Sequence, residues 1–144
     1  MIECPEQRRI NPIAEISGFD LGDFDVFRNP AAHQPFNMMR DPHRVLSAAF
    51  EMAQLDFRRL PVEERSRSVT LQVIADGIVH AVAFWFDLHL DDVVTLSTAP
   101  GSESRHWRQA VTFLDEDRPV RRGDTLRFTV GHTDSHFFFR WPGS

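Results

Sequence analysis

From Ser68 onward the chain alternates between apolar and polar positions. Val69, Leu71 and Val73 interleave with Thr70 and Gln72, and Leu126, Phe128 and Val130 interleave with Arg127 and Thr129. A period of two marks a strand with one face in the core and one in water. Ile78 to Phe86 and Phe137-Phe138-Phe139 are apolar on both faces, so these strands must be covered on two sides. Breaks fall at Ala75-Asp76-Gly77, Asp91-Asp92, Pro100-Gly101-Ser102, Arg122-Gly123-Asp124 and His132-Thr133-Asp134-Ser135. Residues there accept positive φ or make side-chain turns. The spacing predicts a mainly β fold, with antiparallel strands over residues 45–141 closing into a barrel or sandwich.

The first 45 residues follow a different rule. Phe19 and Phe24 sit among acidic residues in the stretch Ser17 to Phe27, and Asn29-Pro30 through Asp41-Pro42 is rich in breakers. This predicts a short helical or irregular arm, residues 17–42, inserted near the N-terminus. Such a segment cannot bury its own Phe19, Leu21, Phe24, Phe27, Phe36, Met38 and Met39. Either the barrel or another subunit must cover them. Beyond the arm, the pattern predicts a strand running into Phe50 and another around Leu55 to Phe57.

Composition narrows the function classes. At 144 residues the chain fits one domain with a real core. The net charge of −5 argues against a nucleic-acid binder, which needs a basic patch to neutralise phosphates. All 16 cationic side chains are arginine, from which no function follows. Cys4 is the only cysteine, so no internal disulfide or thiolate zinc cage can form, and a cytoplasmic or nuclear location is expected. No run of about 18 apolar residues occurs, and the first residues are too charged for a signal peptide. No membrane partner is expected.

His106-Trp107 is the strongest candidate for chemistry, because an indole face attracts a guanidinium and a neighbouring imidazole can orient a carboxylate. The plain alternative is a strand-end core tryptophan beside a solvated histidine. Glu63-Glu64 and Asp115-Glu116-Asp117 lie at turns beside Arg65 and Arg118, where solvated charge is the usual finding. His132 and His136 flank a turn, with His80 and His89 on neighbouring strands. Residues four apart in a strand lie about 13 Å from each other, so only the turn could bring the first pair together. No third ligand can be named, and no metal is expected.

Six fragments in order carry a family resemblance. Ile16-Ser17-Gly18-Phe19-Asp20 and Arg40-Asp41-Pro42-His43-Arg44-Val45 resemble the start and return of the dimerisation arm of protein arginine methyltransferases. Val79 to Asp87, with Phe84-Trp85-Phe86-Asp87, is similar to a strand of their barrel. Leu96-Ser97-Thr98-Ala99-Pro100 and His106-Trp107-Arg108-Gln109 resemble the segments around their Thr-His-Trp loop, and Pro119-Val120 with Gly123-Asp124-Thr125-Leu126 the turn that follows. Val130-Gly131-His132-Thr133-Asp134-Ser135 leans toward members with tandem modules.

The resemblance implies the C-terminal barrel of an enzyme that moves methyl from S-adenosylmethionine to arginine nitrogens of proteins. His106 would support the active site, and Arg105, His106 and Trp107 would line the substrate pocket. Gly18, Phe19, Asp20 and Phe24 would belong to the dimer arm. Arg105 stands where the family carries threonine, and a guanidinium there repels a substrate arginine unless a carboxylate intervenes. In the family the donor and two catalytic glutamates sit in an N-terminal Rossmann-like domain, which is expected to be missing from this chain. The chain alone is then inactive, and the missing domain would cover one outer face of the barrel. The implied partners are that domain, arginine-containing proteins, and a second copy or tandem module. The competing readings are a stand-alone interaction barrel and a sugar-binding jelly roll; against the latter, tyrosine is wholly absent.

Overall fold

The computed structural model describes residues 1–10, 15–23, 33–59, 63–102 and 107–142, with the backbone alone for Arg9, Ile10, Glu15 and Ile16. In chain order the described elements are β1 (Ile2–Glu3), α1 (Pro5–Ile10), β2 (Glu15–Ile16), β3 (Phe19–Asp20), β4 (Gln34–Phe36), β5 (Arg44–Val45) and β6 (Arg65–Gln72). They continue with β7 (Gly77–Phe84), β8 (Asp87–His89), β9 (Thr95–Ser97), β10 (Gln109–Val120), β11 (Thr125–His132) and β12 (Phe137–Arg140).

The alternating segments form the strands that they predict. Val69 and Leu71 of β6 are buried while Thr70 and Gln72 are exposed, and β11 buries Leu126, Phe128 and Val130. β6 and β12 flank β11 in a three-stranded antiparallel sheet. A second, five-stranded sheet has the order β4-β10-β7-β1-β5. The two meet where Ser47 bridges Val73 and Ile74 N–H donates to the Leu46 carbonyl. Near the other edge, the Trp141 indole N–H reaches the Glu116 carbonyl at 3.4 Å and the Arg118 guanidinium lies 4.0 Å over the Trp141 ring. A backbone irregularity in β10 between Phe113 and Arg118 lets that strand turn this corner. The result is a partial barrel of antiparallel strands. Its interior is filled by Leu46, Val69, Leu71, Val82, Leu114, Phe128, Val130 and Trp141.

Val79 through Val82 are all buried, as two-sided coverage of β7 requires. The cover on the second face differs from the expected missing domain. Ile2, Cys4, Phe36, Ala81, Val111 and Phe113 form a second cluster, with Met38 and Ala83 against it. Arg8 of α1 places its guanidinium 5.8 Å over Phe113 and pairs with Asp117 at 2.9 Å. The chain's own first turn and the return of its arm therefore shield this face.

The arm divides into two parts with opposite fates. Its return contributes β4, whose Phe36 is 1% exposed and pairs in register with Gln109. Its beginning is a two-residue β-hairpin, β2 to β3, turning through Ser17 at φ 54° and Gly18 at φ 84°. Two successive left-handed residues give the turn whose twist matches antiparallel strands, while residues 24–32 of the expected helical or irregular arm lie outside the described residues. Phe19 is 72% exposed on it. Phe24 and Phe27 lie outside the described residues.

Between Ala48 and Arg59 no strand forms, contrary to the expectation for Phe50 and Leu55 to Phe57. Phe50 is apolar because its ring packs edge-on to Phe128 at 5.9 Å, which needs no ladder. Asp56 closes a turn instead, accepting from Arg58 N–H at 3.1 Å.

Candidate functional site

The segment from Trp85 to Gln109 leaves the barrel at the end of β7 and returns at the start of β10. Asp87 to Ser97 make the β8–β9 hairpin, and Thr98 then folds back against Phe86. Phe86 N–H donates to Thr98 Oγ1 at 3.0 Å, and Thr98 N–H donates to the Phe86 carbonyl at 3.0 Å. Thr98 is 1% exposed, so its hydroxyl satisfies backbone that would otherwise be stranded. Ala99-Pro100-Gly101-Ser102 closes a turn with Ser102 N–H on the Ala99 carbonyl at 3.0 Å and Gly101 at φ 81°. Proline followed by a left-handed glycine is what a type II turn asks for.

Trp107 is 58% exposed beyond this turn. Its ring stands at 88° to Phe86, with centroids 5.5 Å apart. Phe86 thus braces the indole, which stays more than half exposed. Trp107 borders a cleft of about 470 Å³ lined also by Asn37, Met39, Arg40, Ser102 and Arg108. Among the described residues lining this cleft, Arg40 and Arg108 are charged and none is a carboxylate. Arg105 and His106 lie outside the described residues.

Gln109, which motif matching leaves without a role, is largely buried and forms part of the cleft lining. Its Nε2 donates to the Thr98 carbonyl at 2.7 Å, and its Oε1 accepts from Met38 N–H at 3.1 Å. A buried amide in a sequence of alternating apolar residues is the available signal, because such a group must find partners.

The proposed arm residues Gly18, Phe19 and Asp20 share the exposed hairpin, where Asp20 Oδ1 accepts from Gly22 N–H at 2.9 Å. Phe24 lies outside the described residues.

Among the described residues each histidine has its own hydrogen-bond or ring partner. His80 Nδ1 accepts from Cys4 N–H at 2.9 Å, and His89 Nδ1 meets Thr95 Oγ1 at 2.9 Å. His136 Nδ1 meets Thr133 Oγ1 at 2.9 Å, while His132 packs on Phe137. His33 sits edge-on to Phe84 with Nδ1 2.6 Å from Thr112 Oγ1. Burial, helped by the nearby His136, pulls its pKa below the usual value. Among the described residues, no three histidine, cysteine or acidic side chains gather as a metal site. Glu63 pairs with Arg65 at 3.0 Å and Glu116 with Arg118 at 3.8 Å, as solvated charge does. Cys4 is fully buried, and that burial pushes its thiol up to about 12.

Residues 7–140 match the family model described as the arginine methyltransferase oligomerization subdomain. The chain is 32% identical over 134 residues to an arginine N(omega)-methyltransferase of Streptomyces achromogenes subsp. streptozoticus, covering 93% of this chain and 37% of that protein. It is 37% identical over 91 residues to protein arginine N-methyltransferase 9 of Mus musculus, covering 63% of this chain and 10% of that protein. In fold it resembles a chain of the Trypanosoma brucei PRMT1 enzyme-prozyme heterotetrameric complex with AdoHcy, with a TM-score of 0.54 at 23% identity, covering 86% of this chain and 40% of that one. The chain therefore spans well under half the length of these relatives.

Proposed function

We propose that this chain, which belongs to the arginine methyltransferase oligomerization subdomain family, is the substrate-facing barrel of a protein arginine N-methyltransferase. The complete enzyme transfers methyl from S-adenosylmethionine to arginine nitrogens of proteins. The observation that carries this reading is Trp107, an open indole braced by Phe86 at the rim of a 470 Å³ cleft.

A guanidinium over such a face gains about 1–2 kcal/mol when water is excluded. Arg40 and Arg108 oppose it, so a substrate arginine needs carboxylates beside it. Donor and catalytic carboxylates are assigned to a further N-terminal domain, as the greater length of the relatives supports. His106, with Arg105, supports the pocket beside Trp107. The β2–β3 hairpin, with Phe19 exposed, serves as the arm that pairs two barrels, from two copies or from tandem modules.

The test is Trp107→Ala in the complete polypeptide. Transfer to an arginine peptide falls about tenfold, the kinetic equivalent of one cation–π contact, while S-adenosylmethionine binding is unchanged. Equal loss of donor binding would show that Trp107 does not act through the substrate arginine.

A further inference from the structure

The loop carrying His106 and Trp107 has a neck. It leaves at Thr98 and returns at Gln109, and the Gln109 side chain joins the two with its 2.7 Å bond to the Thr98 carbonyl. The same amide accepts the Met38 N–H, just past β4 where the arm returns to the barrel. A third connection leads outward: Thr98 holds Phe86 by three bonds to its backbone, and Phe86 braces the Trp107 ring. Gln109 is 7% exposed and uses a donor and an acceptor at once, so neither carboxylate nor alkyl can replace it.

We infer that Gln109 is a positioning residue that fixes Trp107 and ties its loop to the returning arm. The inference rests on the proposed methyl transfer only for its catalytic consequence. Its geometric content stands within this chain. Movement of the arm's return displaces the Met38 N–H, and through Gln109 it displaces the neck of the loop.

The test labels the chain with 5-fluorotryptophan. Its fluorine spectrum then carries signals from Trp85, Trp107 and Trp141, that of Trp107 being assigned with Trp107→Phe. Gln109→Met removes both bonds at nearly constant length. Gln109→Glu keeps the acceptor for Met38 and loses only the donor to Thr98, so it serves if the first variant does not fold. The Trp107 signal shifts by more than its linewidth in either variant, while that of Trp141, packed on Phe128 in the core, stays in place. An unmoved Trp107 signal, or equal displacement of Trp141, overturns the inference. In the complete polypeptide, Gln109→Glu lowers kcat about tenfold with KM for S-adenosylmethionine unchanged; an unaltered kcat removes the catalytic consequence. A wild-type polypeptide that transfers no methyl group refutes the proposed function, and the fluorine result still judges the clamp.

Discussion

Replacing Phe36 by alanine tests whether the arm's return is part of the barrel. Phe36 is 1% exposed, lies on β4 opposite Gln109, and meets His43 edge-on at 5.5 Å. Removing its ring forfeits about 2–3 kcal/mol of burial. The β-sheet on one side and Met38 on the other limit collapse, so a cavity remains and the total cost rises to about 3–5 kcal/mol. Domains of this kind hold about 5–15 kcal/mol in all. At this chain length the loss lowers Tm by about 10 °C. Urea unfolding of the chain measures it directly, with Met39→Ala as the matched control. Met39 is 69% exposed beyond the end of β4, and its truncation changes stability by less than about 0.5 kcal/mol. A Phe36→Ala cost under about 1 kcal/mol, or equal costs for the two variants, refutes the packing of the return against β10.

Two further outcomes follow from close approach and from titration. A Cβ at Gly131 would collide with Phe138 Cζ and come 2.6 Å from the Arg65 carbonyl oxygen, so Gly131→Ala costs about 2–3 kcal/mol, and an unchanged urea midpoint contradicts the β6–β11–β12 register. Folding raises the Cys4 thiol from 9.0 to about 12, so its stabilising contribution is complete below pH 9 and is lost as pH rises toward 12. The chain has no tyrosine and its cations are all arginine, so Cys4 is the side chain that titrates in this window. Stability falls between pH 9 and 11 in the wild type and stays level in Cys4→Ala; parallel curves contradict the assigned burial.

Much of the barrel is legible from alternation, because Val69, Leu71, Phe128 and Val130 each report which face of a strand meets the core. The same signal misleads at Phe50, where a ring fills the interior from a loop and burial gives no information on backbone pairing. The second face of β7 and β10 declares its need for cover, yet no local pattern says that Ile2, Cys4 and Phe36 supply it from distant positions. The hairpin at Ser17-Gly18 is hidden by Ser17, a residue that takes positive φ only under the demands of a tight turn. In the site, motif order marks Trp107, whose exposure and cleft suit a recognition surface. Gln109 depends on bonds to Met38 and Thr98, 71 and 11 residues away, and no spacing rule anticipates such a junction.

The proposed function makes this barrel one part of an arginine methyltransferase whose donor site lies on another domain of the same polypeptide. An antibody to the chain, used on extracts of its source cells, gives the mass of that polypeptide. The expected band is at least about twice the 16.6 kDa of this chain, one more domain of ordinary size, and the isolated polypeptide binds S-adenosylmethionine. A band at 16.6 kDa alone would contradict it.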